Sequence, residues 1–418
     1  MTFMTTANQP RDWDAKLWAS ILRSQATNER DSPLAQGILL MKTSSRKHAS
    51  QRRGAIAVLT ALLLVLLFAM VAFAVDIGYL FVAKSDLQRA ADAAAHAAVL
   101  EFRSEASSFE KIKNVRKTAR QYVADNKVLN SHASIDMNLF NADPAGDVVV
   151  GRIGFASPRS PMTFEDTNEF NAVRVRIRRT TDINGSVPLY FARVLGIKSM
   201  GLEAVSTAAI INNVRGFRTP SSGEHVPFLP ITIHEDFWQD SLDAKVDLWS
   251  YDASSGTIHS GSDAVPEMVL FPNDTGSAGN FGTLNVGVSS NSAAILGQQI
   301  RNGLSKSDLA SYGGELALDA QGELMLTGNP GLSSTIRFDL EAITGKPVMI
   351  PLFRQVTGTG DNSKFIIVKF VGVRVMAVSL TSETKFVSVQ PAKVSFRGSI
   401  QGTAGSSQRI YSPPVIVQ

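Results

Sequence analysis

Residues 54–75 have the sequence GAIAVLTALLLVLLFAMVAFAV, which contains no charged side chain and one polar side chain, Thr60. An α-helix rises about 1.5 Å per residue, so roughly 20 apolar residues are needed to cross the hydrocarbon core of a bilayer. The segment is long enough to meet that requirement. It predicts a transmembrane helix, with the lipid bilayer as the partner of residues 54–75.

The charges on either side of this segment predict its orientation. The preceding stretch, residues 41–53, contains no acidic residue and five basic ones: Lys42, Arg46, Lys47, Arg52 and Arg53. Residues 76–95 contain three acidic residues and two basic ones. Basic residues on short flanks stay on the cytoplasmic side. We therefore expect a single-pass protein of the inner (cytoplasmic) membrane, with its N-terminus cytoplasmic and the chain after residue 75 periplasmic or extracellular.

A cleaved signal peptide is the alternative interpretation of the same segment. Ala72, Phe73 and Ala74 form a small-x-small site at which a signal peptidase cuts, here after Ala74. The apolar run is longer than the core of about 7–15 residues usual for a signal peptide, which favours a retained anchor. The sequence leaves both possibilities open.

Composition narrows the classes of function. The chain of 418 residues is 44% hydrophobic and 19% charged, carries a net charge of +4 and contains no cysteine. Disulfide bonds, thiolate metal sites and cysteine nucleophiles are therefore excluded. The chain also lacks a basic stripe with interleaved aromatic residues, so we expect no nucleic-acid partner.

The helical pattern does not stop where the apolar segment ends. Apolar residues recur at spacings of three, four or six through residues 77–102, which predicts a continuous helix of about 50 residues. Residues 90–98 are almost all small, and the face formed by Ala91, Ala94 and Ala98 has two interpretations. Either it packs tightly against a sheet of the same protein, or it lets a partner helix approach closely.

Beyond this helix the pattern predicts an α+β fold that becomes β-rich. Residues 109–126 predict a second, basic helix, which is usually a solvated face and otherwise a contact for anionic headgroups or a partner. The stretch AVRVRIR at 172–178 alternates as a half-buried strand does. A short helix at 188–196 and a strand at 200–211 follow. Strands dominate after residue 228, the clearest at 364–380, with one helix at 292–303.

These patterns divide the chain into five parts. They are a disordered cytoplasmic tail (1–53), the transmembrane helix (54–75), an α+β module (76–215), a linker (216–227) and a β-rich extracytoplasmic domain (228–418). Residues 1–40 show no pattern that relates them to the other predicted parts. They form a tail with one amphipathic helix, or they reflect an over-extended gene start, because Met41 would also serve.

A search for catalytic and metal-binding patterns predicts that the protein is not an enzyme. His234 and Glu235 begin like a zinc-protease helix, but Trp238 stands where the second histidine belongs. The segment from Asp252 resembles a D-x-S-x-S metal motif, but Gly256 replaces its second serine. Three further features are the Gly-Thr-Gly of 358–360, the acidic loop 273–276 and six scattered histidines, and none completes a site. We predict no catalytic, cofactor-binding or metal-binding residue.

Three blocks of the sequence are specific: RRGAIAV (52–58), AVDIGY (74–79) and LQRAADAAA (87–95). Three more are suggestive: PLYFARVLG (188–196), VSTAA (205–209) and GNFGTL (279–284). Together these blocks resemble TadG-like proteins of the Flp pilus-assembly, or tight-adherence, system. The resemblance implies a membrane-anchored accessory protein with a pilin-like α+β module. It also implies that other Tad machinery proteins, such as TadE-like subunits, are its partners.

The chain departs from the related pseudopilins at one position. A prepilin peptidase site has a glycine before the cut and a glutamate five residues later, whereas here Gly54 is followed by Leu59. We therefore expect residues before Gly54 to be kept. Two functions follow: a non-enzymatic membrane-anchored component of a Flp/Tad-type pilus assembly or secretion system, or a membrane-anchored extracytoplasmic ligand-binding or sensor protein.

Overall fold

The computed structural model describes residues 51–104, 106–154, 161–271, 280–287, 292–381, 385–403 and 405–417. Its contacts divide the chain into two compact units, Met1–Leu67 and Phe68–Gln418. The α-helices in the described residues are α1 (Gln51–Val99), α2 (Ser108–Asp125), α3 (Glu235–Ala244), α4 (Ala293–Asn302), α5 (Lys306–Leu309) and α6 (Arg337–Glu341). Short 3₁₀ helices lie at Leu100–Arg103, Leu139–Asn141, Thr167–Glu169, Ala192–Leu195, Ala310–Tyr312, Ser334–Ile336 and Gly360–Asn362.

The strands are grouped around three sheets and several two-stranded pairs. Up to residue 218 they are β1 (Val148–Gly151), β2 (Ala172–Arg179), β3 (Val187–Pro188), β4 (Ser199–Met200), β5 (Leu202–Ala209) and β6 (Val214–Arg218). The next are β7 (Ile231–His234), β8 (Trp249–Asp252), β9 (Thr257–Ser260), β10 (Met268–Leu270), β11 (Phe281–Asn285), β12 (Glu315–Ala317), β13 (Leu324–Asn329) and β14 (Pro347–Thr357). The last are β15 (Ser363–Leu380), β16 (Lys385–Pro391), β17 (Val394–Ser395), β18 (Ser399–Gln401), β19 (Ser407–Gln408), β20 (Ile410–Tyr411) and β21 (Val415–Ile416). The predicted α+β fold with a β-rich part is confirmed.

In the first unit, residues 56–67 are helical and every side chain among them is exposed. Thr60, the one polar side chain of the apolar segment, donates its hydroxyl to the carbonyl of Ile56 at 2.8 Å. Its polar group is therefore satisfied within the helix, as an apolar solvent requires.

In the second unit, the part of α1 after residue 75 is buried along one side. Its alanines belong to a core formed with Val173, Val175 and Ile177 of β2 and with the inner residues of α2. Ala91, Ala94 and Ala98 are fully buried, so this face packs on the protein's own sheet and is closed to a partner helix. Two side chains on the flank of the face fix the helix further. Lys84 Nζ and Gln88 Nε2 both donate to backbone carbonyls of β5.

This sheet has the order β1-β2-β5-β21, and its pairs are antiparallel. Along β2 the valines and Ile177 are buried whereas the arginines between them are partly exposed, as the alternating sequence predicts. Arg178 extends along the outer face to the carboxylate of Asp147 at 2.6 Å. The strand β21, from the end of the chain, completes the sheet beside β5.

The larger, eight-stranded sheet contains a closed ring. Hydrogen-bonded pairs join β15 to β13, β13 to β11, β11 to β7, β7 to β14 and β14 back to β15. Phenylalanines fill part of its core, with the rings of Phe353 and Phe365 5.0 Å apart. A Cβ at Gly282 would collide with the Phe365 ring, so glycine is required where β11 passes it.

The predicted domain boundaries stay a prediction. Residues 214–218, at the start of the predicted linker, form the strand β6, which pairs with β12 and β18, and Phe217 is fully buried. Tyr411 donates its hydroxyl to the carbonyl of Arg103 and belongs to the core beneath α1. The last residues of the chain thus pack with elements that precede residue 215.

Candidate functional site

The residues that resembled a zinc site have structural partners. His234 precedes α3, where its Nδ1 accepts from the amide of Asp236 at 3.2 Å and its Nε2 lies 3.0 Å from the carbonyl of Arg354. Trp238 is buried and donates to Gln408. In the part of the chain that the structure describes, no group of three or more histidine, aspartate or glutamate side chains is placed to hold a metal ion. The expectation of no catalytic or metal-binding residue stays a prediction.

The segment that resembled a D-x-S-x-S motif is the turn of the β8–β9 hairpin. The carboxylate of Asp252 accepts hydrogen bonds from both the amide and the hydroxyl of Ser254 and from the hydroxyl of Ser255. These bonds lower the pKa of Asp252 to about 2, so it is ionised at neutral pH and serves as an acceptor within the turn. The glycines at 358 and 360 have positive φ in the turn between β14 and β15. The acidic loop 273–276 lies outside the described residues.

The first residue after the apolar segment is the best-organised polar group near the predicted membrane boundary. Asp76 Oδ1 accepts from the amide of Tyr190 at 2.9 Å, and Oδ2 accepts from the amides of Phe191 and Ala192 at 3.0 and 2.7 Å. Three consecutive backbone N–H groups therefore end on one carboxylate. A second contact follows at Tyr79, whose ring packs edge-to-face on Tyr190 with centroids 5.4 Å apart.

The ionisation of Asp76 is determined by two opposing effects. Burial raises the pKa of its carboxyl, but the three amide donors outweigh burial and leave that pKa below its ordinary value. Asp76 is thus an anion at neutral pH, and the three amide N–H groups that donate to it stabilise its negative charge. That attachment joins α1 to a loop more than 110 residues further along the chain.

The loop that Asp76 holds is an apolar hairpin tip. The strands β3 and β4 pair antiparallel, and residues 190–198 between them, which we name the apolar tip, contain the 3₁₀ helix Ala192–Leu195. The helix ends at Gly196, whose φ of +88° suits glycine. The exposed large apolar side chains of the tip are Tyr190, Phe191, Val194, Leu195 and Ile197.

A second exposed apolar surface lies beside α2. It is a groove of about 720 Å³, which we name the α2 groove, and its apolar lining is Phe109, Ile112, Met137, Leu139, Phe140, Phe164 and Phe170. The ring of Phe140 is 85% exposed. One wall, residues 137–141, is held by Arg116, whose guanidinium donates to the carbonyls of Met137, Asn138 and Val148 and to the side chain of Asn141.

Arg116 is the exception on the basic face of α2, whose other basic side chains are exposed or partly exposed. Its side chain is buried, in contrast to the lysines on the same helix. Burial lowers the pKa of Arg116, yet a guanidinium stays charged at neutral pH. Carbonyl oxygens compensate that charge, so Arg116 organises the wall of the α2 groove and is not free for a headgroup.

A polar cleft is the third surface feature. It has a volume of about 860 Å³, and its charged lining residues are Arg215, Arg218, Glu315 and Arg397. Arg218 and Glu315 form an exposed ion pair at 3.4 Å, and Arg215 donates to the carbonyl of Leu318 at 3.0 Å. Three of its four charged lining residues are thus arginines.

Sequence reasoning found the parts of the tip attachment but did not connect them. The block AVDIGY contains Asp76, and the block PLYFARVLG contains most of the tip and predicts a short helix, but neither pattern indicates a contact between them. The available signal is the position of Asp76, the first charged residue after the apolar segment. No local pattern names its partner, because the partner lies on another hairpin.

Comparison with known proteins identifies the N-terminal part of the second unit and the helix before it. Residues 54–101 match the family model described as putative Flp pilus-assembly TadE/G-like, and residues 84–208 match the one described as putative Tad-like Flp pilus-assembly. No curated protein and no solved structure matches the chain. The two matches cover the apolar helix, α2, the four strands β1 to β4, the apolar tip and most of β5. Through residues 54–208, the chain is thus similar to TadE/G-like and Tad-like proteins of Flp pilus assembly.

Proposed function

We propose that the protein is a non-enzymatic, single-pass membrane component of a Flp/Tad-type pilus assembly or secretion system. The observation that carries the anchor is the exposure of the apolar helix: all side chains of residues 56–71 are exposed. By length and composition this helix is able to cross a membrane. Burying apolar surface contributes about 25 cal/mol per Å², so a bilayer is the environment that stabilises such a surface.

The proposed orientation places the N-terminus in the cytoplasm and residues 76–418 in the periplasm or outside the cell. It follows from the five basic residues before Gly54 and the absence of acids among residues 41–53. A reporter active only in the periplasm should be active when fused at Gly223 and inactive when fused at Ser45. The inverse pattern would overturn the orientation.

The same cells test whether the anchor is retained. We expect carbonate-washed membranes to keep the protein, and intact mass to include residues before Gly54, because Leu59 occupies the position of the glutamate that a prepilin peptidase site carries. A mature N-terminus at Val75 together with release into the supernatant would establish a cleaved signal peptide. A terminus at Ala55 would establish prepilin processing.

The proposed partners are other Tad machinery proteins, with TadE-like subunits as the first candidates. Because the alanine face of α1 is buried, we assign this contact to the α2 groove, which lies wholly within the family-matched residues 84–208. Burying a ring such as that of Phe140 is the kind of contact that dominates protein interfaces. The groove is also walled by residues that Arg116 holds in place, so it is formed before a partner arrives.

Co-purification tests this assignment with a matched pair of variants. Phe140→Asp should lose Tad partners that are retained by Phe338→Asp, because Phe338 is also an exposed ring, at 76%, but lies far along the chain on α6. Both variants should remain folded and membrane-bound. Equal retention of partners by both variants would reject the α2 groove as the contact.

The polar cleft favours the second candidate function, an extracytoplasmic ligand-binding or sensor protein. Its three arginines would recognise a carboxylate or a phosphate through charge-assisted hydrogen bonds. Citrate and inorganic phosphate should then raise the Tm of the protein, and the rise should be smaller in Arg397→Ala. Absence of any shift would leave the assembly role as the better proposal.

A further inference from the structure

The apolar tip contacts α1 directly after the end of the predicted transmembrane segment. Its anchor, Asp76, is the residue directly after Val75, and its second contact is Tyr79, one turn further on. Exposed Phe81 and Val82 continue the apolar surface of α1 on the same short stretch. The tip is thus attached to α1 at the boundary where lipid gives way to water.

The composition of the tip fits a membrane interface better than open water. Val194 and Leu195 are 88% and 78% exposed, and the neighbouring Phe191 and Ile197 are exposed as well. Residues 183–202 contain no acidic side chain, and the charges among them are the exposed Arg193 and Lys198. Apolar side chains with flanking cations are typical of segments that enter the headgroup region of anionic bilayers.

Six backbone amides of the tip already have hydrogen-bond acceptors within the protein, as a medium with few hydrogen-bond partners requires. The amides of Tyr190, Phe191 and Ala192 end on Asp76, and those of Val194, Gly196 and Ile197 end on carbonyls within the tip. An unsatisfied amide is costly in an apolar solvent. An exposed carboxylate would be unfavourable at the edge of a bilayer. The carboxylate of Asp76 is instead buried and accepts hydrogen bonds from the tip.

We propose that the apolar tip inserts into the headgroup and upper acyl region of the outer leaflet, next to the helix that anchors the chain. The tip is a second membrane contact, and Asp76 fixes it to α1. Two attachment points on one bilayer restrict tilting of the folded unit at its base. This inference rests on the proposed transmembrane anchor and adds to it a lipid contact from a different part of the chain.

The chain contains no cysteine, so single cysteines place a fluorescent probe at defined positions. Leu195→Cys reports the tip, Leu66→Cys reports the anchor, and Phe338→Cys is the control at an exposed apolar side chain elsewhere. Each full-length variant is labelled with an environment-sensitive dye and reconstituted into vesicles of phosphatidylcholine and phosphatidylglycerol. Nitroxide groups attached to the lipids at shallow or deep positions then quench probes that reach the bilayer.

We expect the Leu195 probe to show blue-shifted emission and to be quenched most by the shallow nitroxide. The Leu66 probe should be quenched most by the deep one, and the Phe338 probe by neither. A quenched Leu66 probe beside an aqueous, unquenched Leu195 probe would overturn the tip proposal and leave the anchor intact; the tip would then be a protein-binding surface. An unquenched Leu66 probe would reject the anchor, and the tip proposal with it.

Discussion

The alanine-rich face of α1 and the apolar tip are two apolar surfaces of the family-matched region, and they have opposite environments. The helix face consists of small side chains, and Ala91, Ala94 and Ala98 are fully buried against the protein's own sheet. The tip consists of large side chains, and Val194 and Leu195 are exposed. Yet sequence composition assigned a possible partner contact to the first and only a short helix to the second.

The difference teaches how residue size should be interpreted in this chain. Alanines let α1 approach the sheet closely, so their small size serves internal packing. Large apolar side chains that no core covers carry the surface available for lipid or for another protein. The better candidates for contact with lipid or another protein are therefore the large exposed side chains of the tip, because covering them removes the most apolar area from water.

The largest effect should come from adding bulk to the buried helix face. Ala94→Leu introduces three carbon atoms into a fully buried position, and overpacking costs about 1–3 kcal/mol of the free energy of unfolding. Thermal unfolding of the detergent-solubilised protein should therefore show a lower Tm and less folded protein in the membrane. The substitution does not act by removing a partner contact.

Ser85→Leu is the matched control for this prediction. Ser85 lies on the same helix but is exposed, so a leucine there should change the Tm little. A folded, stable Ala94→Leu protein that has lost its Tad partners would contradict internal packing. It would restore the alanine face as an assembly contact.

A smaller, local effect is expected when the link between α1 and the tip is removed. Asp76→Ala leaves three backbone amides without their acceptor, so the tip should detach while the sheet beneath it stays folded. Limited tryptic cleavage after Arg193 should become several-fold faster, and Asp76→Asn, with one amide oxygen to accept these bonds, should be intermediate. Unchanged cleavage in Asp76→Ala would mean that the Tyr79–Tyr190 contact and the hairpin hold the tip alone.

The same link should depend on pH in a defined direction. The pKa of Asp76 in the attached state is lowered from its ordinary value of 3.8, because the amide donors outweigh the opposing effect of burial. The contribution of the carboxylate is therefore present above about pH 4 and is lost as the pH falls through the lower pKa of the attached state. Pepsin is active at low pH and cleaves beside large apolar residues such as the exposed Phe191 and Leu195. Its rate of cleavage in the tip of the wild type, divided by its rate on Asp76→Asn at the same pH, should rise as the pH falls below that range.

Local pattern predicted the longest regular elements of the second unit. The helical period predicted the length of α1 and the bounds of α2 to within one residue, and alternation predicted β2 and β15, because burial on one face leaves a trace in consecutive residues. The short helix at 188–196 appears as the 3₁₀ turn Ala192–Leu195.

Contacts between distant residues left no such trace. The closure of the ring through β7 and β14, the return of β21 to β5 and the burial of Arg116 each depend on segments that lie far apart in sequence. Asp76 is the clearest case, since its partners are amides, which every non-proline residue has. No spacing or residue type therefore marks which amides it will bind.

The smallest effect on stability, and the sharpest separation of the two apolar surfaces, should come from the end of the tip. The double substitution Val194→Ser and Leu195→Ser removes two large side chains that contact little of the folded protein. Exposed substitutions usually change the free energy of unfolding by within about 0.5 kcal/mol, so the Tm should match the wild type. If the tip lies in the bilayer, a dye on Ile197→Cys in the double variant should shift towards aqueous emission. It should also lose quenching by shallow nitroxide lipids. The reason is that the remaining side chains bury too little apolar area to hold the tip in the bilayer. A large drop in Tm would instead show that Val194 and Leu195 support the fold, and would make the tip resemble the alanine face with which it was compared.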